Sequence, residues 1–378
     1  VRRRICIVGA AESDGGVLPD RTALQLHQQA AKRALDDAGL TKDDVDGLFS
    51  CGDEWSHPLQ LAEYLGLRPA YVDSTQVGGA SWEIFVEHAV GALSAGLCSV
   101  ALLVYGSTSR SEARRRVHDG ASGARGPAQF EAPYGLTLIG TYALVARRHM
   151  HEFGTTRRQL AAVAVAMNRW AQRNPNAFHY GKPLSIDDAL QTPLIADPLR
   201  RADCCLRTDG GGAVILTTEE RSRDLRQKPV HVLGTGEAIS HLHVAQWEDL
   251  TDLGAQAGRQ AMQRAGVGPR DIDVLQTYDA FTIMVLLALE GLGFCGRGEG
   301  GAFVESGALE PGGQLPTNTD GGGLACAHPG MRGVFLLIEA TRQLRGECGA
   351  RQVPQAQLAL CNGIGGYVSS CGAVVLGT

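Results

Sequence analysis

The chain has 378 residues, 44% of them hydrophobic, and a formal net charge of −5 from 35 Lys and Arg against 40 Asp and Glu. This is a globular balance, long enough to bury a core without disulfide or metal staples and enough for two to three domain-sized units, and it lacks the basic field that holds nucleic acid. No apolar run reaches the ~18 residues of a membrane span, and the ten cysteines include no C-x-x-C pair, so the expected setting is a cytoplasmic one with free thiols.

In chain order, the basic start at Arg2-Arg-Arg4 leads into an apolar run too short for a signal peptide. Residues 5–12 form a β-branched run ending in a glycine turn, the pattern of a buried strand. An amphipathic helix closes at Ala38-Gly39, and Val45, flanked by aspartates, leads into a second strand. Thr75-Gln-Val-Gly78-Gly79-Ala80-Ser81-Trp82 opens a helix over 83–94, with Ser81 as its N-cap. A strand over 102–106 follows, then a polar, Arg- and Gly-rich stretch over 109–129 and helical patterns over 138–148 and 158–173. The pattern then repeats itself. Residues 5–12 match 230–237, 38–48 match 265–275, 102–106 match 358–362, and 211–218 match 372–378. Four matches in one order predict a duplicated α/β chain, with halves 1–222 and 228–378, a charged connector at 221–228 and an inserted loop subdomain over about 107–203.

In such folds ligands gather outside the carboxyl ends of the strands. Asn318-Thr-Asp-Gly-Gly-Gly-Leu-Ala-Cys-Ala-His328-Pro329 brings backbone close to a ligand and sets His328 just ahead of a helix over 334–344. A neutral imidazole there suits general base work. Tyr278-Asp279, at the end of the second strand of the second half, offers a phenol and a carboxylate. Cys361-Asn-Gly363-Ile-Gly365-Gly366 joins a thiol to a glycine turn whose N–H groups suit an oxyanion. Gly79 and Ser81 stand at the first-half helix start, where Ser81 has no local partner as a nucleophile. His149 with His151, and His241 with His243, read as surface pairs, so no metal site is expected. Neither a dinucleotide nor a phosphate-loop glycine fingerprint is present.

The duplication, the glycine-rich turn into His328-Pro329 and Cys361-Asn-Gly-Ile-Gly-Gly resemble the thiolase superfamily. Tyr180-Gly-Lys-Pro-Leu184, Asp203-Cys-Cys205, Thr208-Asp-Gly210 and Leu292-Gly-Phe-Cys-Gly-Arg-Gly-Glu299 narrow the resemblance to the sterol-carrier-protein-type thiolases and the CoA-dependent steroid side-chain aldolases. The resemblance implies a thiolase fold, a duplicated five-layer α-β-α-β-α sandwich, with the active site between the halves. It also implies a CoA thioester as substrate with no tightly bound cofactor, a homodimer, and room for a small OB-fold zinc-ribbon partner of the kind that related aldolases work with. Thiolases carry a nucleophilic cysteine at the first-half helix start; here Gly79, Ala80 and Ser81 stand in its place. The family histidine matches His328, and the second-half cysteine, which serves proton transfer in thiolases, matches Cys361. Tyr278 before Asp279 resembles the aldolases, which have Tyr where this chain has His328.

Three functions follow. A retro-aldolase acting on a β-hydroxyacyl-CoA would use Tyr278 or His328 as base and the other to polarise the thioester. An acetyl-CoA acetyltransferase-type enzyme would load the acyl group on Ser81 or Cys361. A non-catalytic acyl-CoA or lipid-binding subunit would keep only the cleft.

Overall fold

The computed structural model describes residues 4–52, 56–112, 126, 128–134, 137–241, 248–249 and 251–378. Among them eleven strands are formed: β1 Ile5–Glu12, β2 Gly47–Phe49, β3 Tyr71–Asp73, β4 Val100–Ser107, β5 Leu194–Ala196, β6 Leu199–Arg200, β7 Gly210–Thr218, β8 Val230–Ile239, β9 Val274–Thr277, β10 Leu358–Gly365 and β11 Ser370–Gly377. Nine of them make one sheet in the order β3-β2-β4-β7-β1-β8-β11-β10-β9, while β5 and β6 pair apart. Outward from the centre each half repeats one plan. β1 is antiparallel to β7, β7 to β4, and β4 is parallel to β2. In the same way β8 is antiparallel to β11, β11 to β10, and β10 is parallel to β9. The segments matched in sequence therefore occupy equivalent positions. The two halves of the sheet join through the residue pairs Cys6↔His231 and Ile7↔Val230.

The two glycines expected to end the first strands instead lie inside them. A Cβ on Gly9 would stand 2.3 Å from the Ala34 carbonyl oxygen, and one on Gly234 would stand 2.1 Å from that of Ala261. Both positions are bare so that an outer helix can lie directly on the sheet. In the first half that helix is Ala23–Ala38, started by a Thr22–Gln25 capping box and stopped at Gly39 with φ 75°. Its counterpart, Asp252–Ala265, ends the same way at Gly266 with φ 73°.

Two further helices, Ser81–Ala95 and Gly333–Arg345, touch each other and strands of both halves. They form the middle of a helix–sheet–helix–sheet–helix stack. Ser81–Ala95 buries nine of its residues, from Ser81 to Leu93, as a helix enclosed on both sides must. The inserted region contributes Leu138–Phe153 and Arg157–Ala171, the second started by a Thr156–Gln159 capping box. Residues 113–125 and 127 of the Arg- and Gly-rich stretch lie outside the described residues.

His149 is not a surface residue. It is 1% exposed, with Nε2 3.1 Å from Glu290 Oε1 and Nδ1 2.7 Å from Thr155 Oγ1. His243 lies outside the described residues. Among the described residues no group of three His, Cys, Asp or Glu is placed to hold a metal, and no helix is long and apolar enough to cross a membrane.

Candidate active site

Tyr278 leaves the end of β9 with its backbone N–H donating to the Asn362 carbonyl at 2.9 Å, so the strand pairing with β10 sets its direction. Its ring meets the His328 ring edge-on, at 89° and 5.6 Å between centroids. The floor beneath it is Gly79, where a Cβ would stand 2.2 Å from Tyr278 Cε2 and 2.5 Å from the Ile364 carbonyl oxygen. First-half helix start, β9 and the His328 turn thus converge at one point. Burial holds the Tyr278 hydroxyl well above the ordinary phenol range, and the Arg332 backbone N–H, which donates to it, opposes that only in part. The phenol is therefore protonated.

Asp279 points the other way along the chain. Its Oδ1 accepts from Gly323 N at 2.7 Å and its Oδ2 from Leu324 N at 3.2 Å. It fixes the backbone of the turn Gly322–Cys326, which winds as a π-helical turn. A Cβ on Gly322, where φ is 67°, would stand 2.0 Å from Asp279 Oδ2. The glycine run thus admits a carboxylate of the protein itself.

His328 was expected at a helix start, and the structure places it differently. The helix begins at Gly333, with Arg332 as its N-cap. His328 is 7% exposed, and its Nε2 has no hydrogen-bond partner among the described residues. Burial, with the Arg332 guanidinium acting in the same direction, pushes its pKa down to about 4. The imidazole is neutral for those reasons rather than because of a helix dipole.

Arg332, which the sequence did not single out, is fully buried. It donates to Asp320 Oδ2 at 2.5 Å and to the Ala327 carbonyl at 2.9 Å, and its Nε lies 3.7 Å from Asp279 Oδ1. This charge cluster ties the π-turn, Tyr278–Asp279 and the His328 turn together. Cys205 also stands nearby. Its N–H donates to the Ala280 carbonyl, and burial, reinforced by Asp279, pushes its thiol up to about 12.

The remaining predicted residues adjoin this centre in other roles than those expected. Cys361 is fully buried within β10, its Sγ 3.5 Å from the Leu336 carbonyl oxygen, and burial holds its thiol well above the usual range. It packs under a central helix, inert as a thiolate source. Gly363 and Gly365 are strand residues paired with Gly372 and Ser370, not parts of a turn. Their bareness makes room for other groups, since a Cβ would stand 1.9 Å from Glu83 Oε2 at Gly363 and 1.9 Å from the Val77 carbonyl at Gly365. Glu83 was also missed. Its carboxyl is buried, neither oxygen has a hydrogen-bond partner among the described residues, and desolvation raises its pKa well above the carboxylate range. Ser81 is not the N-cap but the first helical residue, buried, with Oγ accepting from Val77 N at 3.0 Å.

A cavity of about 530 Å³ lies beside this centre, bordered by Cys205 and Leu324. Ile139, Leu184 and Ile195 give it apolar walls, and Lys182, Arg201 and Arg207 give it cationic ones.

The Thiolase C-terminal domain-like family matches residues 236–378. The chain is 36% identical over 354 residues to the 17-hydroxy-3-oxo-4-pregnene-20-carboxyl-CoA lyase of Mycobacterium tuberculosis, covering 90% of this chain and 91% of that one. It is 32% identical over 376 residues to an acetyl-CoA acetyltransferase of Methanothermobacter thermautotrophicus, covering 96% and 97%. Among solved structures, the Ltp2-ChsH2(DUF35) aldolase superposes with a TM-score of 0.90 at 32% identity, covering 100% of this chain and 99% of that one. The duplicated five-layer architecture is the thiolase fold. The chain belongs to the thiolase superfamily, in the branch of the steroid side-chain aldolases and the sterol-carrier-protein-type thiolases.

Proposed function

We propose that the chain is a CoA-dependent C–C lyase that cleaves a β-hydroxyacyl-CoA by a retro-aldol step. The observation that carries this reading is the meeting of a neutral imidazole and a protonated phenol at a helix start that holds no cysteine. His328 Nε2 takes the proton of the β-hydroxyl. The C–O bond becomes a carbonyl, the Cα–Cβ bond breaks, and its electron pair passes into the thioester enolate. Tyr278 donates its hydroxyl hydrogen to the enolate oxygen, as a buried phenol can without ionising. The imidazolium then returns the proton to Cα, leaving a ketone and a shortened acyl-CoA. Asp279 and Arg332 hold the turns that carry both groups.

The neighbouring cavity suits the rest of such a substrate, with apolar walls for acyl or pantetheine carbon and cations for phosphate. The names of the relatives support a steroid or other polycyclic side chain as the acyl group. The acyltransferase reading keeps the support of the acetyl-CoA acetyltransferase relatives. Against it stand the buried Ser81, already hydrogen-bonded to Val77, and the buried Cys361. We further propose halves divided near residues 222–228, a cytoplasmic homodimer, and a heterocomplex with a DUF35-type protein. The last draws support from the Ltp2-ChsH2(DUF35) aldolase, whose name couples a chain of this fold with a DUF35 protein.

The test is product analysis with 17-hydroxy-3-oxo-4-pregnene-20-carboxyl-CoA as probe, with the chain alone and with a DUF35-type protein. A 17-ketone and a shortened acyl-CoA in equal amounts support the lyase. A stoichiometric acyl adduct on the protein supports transfer instead. Binding with no product of either kind supports the binding subunit.

A further inference from the structure

His328 has an unusual mounting. No hydrogen bond from the described residues reaches its Nε2, so the ring is aimed by packing and by the backbone that carries it. Upstream, that backbone is clamped by Thr208, whose Oγ1 accepts from His328 N at 3.1 Å and whose N–H donates to the His328 carbonyl at 3.2 Å. Downstream, the chain passes through Gly330, with φ 99°, before the helix begins at Gly333. The Tyr105 side chain holds this second stretch. Its hydroxyl donates to the Pro329 carbonyl at 2.6 Å and accepts from Met331 N at 3.1 Å, closing both polar groups that flank Gly330. A Cβ on Gly330 would stand 3.0 Å from that same hydroxyl, so glycine and phenol are matched in shape.

Tyr105 is itself immobilised. It lies near the end of β4, 5% exposed, with its ring 4.8 Å from that of Trp82 and edge-on to His27 at 6.2 Å. A strand of the first half thus sets the backbone of a residue from the second half, 224 positions away in the chain.

We propose that Tyr105 is a positioning residue for the reaction, its hydroxyl holding the Pro329–Met331 turn so that His328 Nε2 faces the substrate. The inference rests on His328 being the base. Removing the hydroxyl leaves the ring packing in place but frees a buried carbonyl and a half-buried N–H beside the exposed Gly330, and the turn relaxes toward water. A shift of the base by about 1 Å is enough to lower turnover by about 10²-fold.

The experiment is Tyr105→Phe in the full chain, beside His328→Ala and the double variant. The probe is the steroid β-hydroxyacyl-CoA used above. We expect a kcat about 10- to 100-fold lower, KM changed by less than about 3-fold, and a melting temperature close to the parent's. In the His328→Ala background, Tyr105→Phe should cost less than about 2-fold, because the group it positions is gone. A substrate-free readout accompanies this. In protein labelled on histidine, the His328 ring should titrate higher than about 4 once the turn admits water. Gly330→Ala strains the backbone at φ 99° and presses a methyl against the same hydroxyl; it serves if Tyr105→Phe folds poorly, and its kcat loss should likewise fall below about 2-fold in the His328→Ala background.

Parental kcat in Tyr105→Phe, with His328→Ala inactive, overturns the positioning role and leaves the base assignment standing. Fully additive losses in the double variant, or an unmoved His328 titration, also overturn it. Parental activity in His328→Ala removes the base assignment first, and the inference falls with it.

Discussion

The floor under Tyr278 permits a sharp test, Gly79→Ala. The added methyl would lie 2.2 Å from Tyr278 Cε2 and 2.5 Å from the Ile364 carbonyl oxygen. Ordinary contact requires roughly 3.5 Å, so the overlap is about 1 Å or more on both sides. The Ile364 carbonyl belongs to β10 and cannot retreat without breaking its ladder with β11. The Tyr278 ring must therefore move away from the helix start. Overpacking of this kind costs about 1–3 kcal/mol, and moving a reacting group by about 1 Å costs about 10²-fold in rate. Gly91, in the same helix, is the internal control, since a Cβ there meets nothing within 4 Å. Gly91→Ala should stabilise the chain by about 0.5–1 kcal/mol through helix propensity and leave turnover unchanged. Urea unfolding and steady-state cleavage of the steroid thioester measure both effects. If Gly79→Ala keeps parental stability and turnover, the Tyr278–Gly79 contact does not set the site.

Three further outcomes are expected. Tyr278→Phe should lower kcat by about 10²–10⁴-fold with the fold intact, checked by steady-state rates and circular dichroism. Incubation with acetyl-CoA or a long-chain acyl-CoA should leave no adduct in intact-protein mass spectra, and Ser81→Ala should keep cleavage within about 5-fold of the parent, since the serine contributes one hydrogen bond of about 1 kcal/mol to the Val77 turn; an adduct lost in Ser81→Ala would install acyl transfer instead. Stability should fall as pH drops from 6.5 toward 4. His328 is neutral when folded, with a pKa of about 4 against 6.5 unfolded, so between those values the unfolded chain binds the extra proton. His27, pushed down to about 3 by burial, acts in the same direction. Each contributes a slope of up to about 1.4 kcal/mol per pH unit, and His328→Asn should reduce the fall of the urea midpoint between pH 6.5 and 4, leaving the share due to His27.

Much of the fold was legible because it is written twice. The strand at 5–12 and its counterpart at 230–237 share a pattern, and the structure gives them equivalent neighbours, β7 and β11. Local pattern also located the helices over 138–148 and 158–173 to within a turn, apart from one extra turn at the end of the first. Its errors came where distant backbone decides. The glycines at 9 and 234 looked like turns, yet they are strand residues kept bare by helices packed across them. Gly363 and Gly365 looked like an oxyanion turn, yet they make way for Glu83 and the Val77 carbonyl.

Residue type and spacing by themselves determined the duplication and singled out Tyr278 and His328 as separate candidates, while the thiolase resemblance paired them and gave meaning to the missing cysteine at residues 79–81. They could not set the charge state of either group, because desolvation and the Arg332 guanidinium act only once the chain is folded. Nor could they show that Cys361, matched to the family by its motif, is fully buried with its sulfur turned toward the Leu336 carbonyl. The tertiary structure alone brought Tyr105 to the Pro329–Met331 turn and Arg332 between Asp279 and Asp320. Local pattern reports what neighbours along the chain prefer. Burial and contacts across some 200 residues are properties of the packed halves, and they decide which side chains meet.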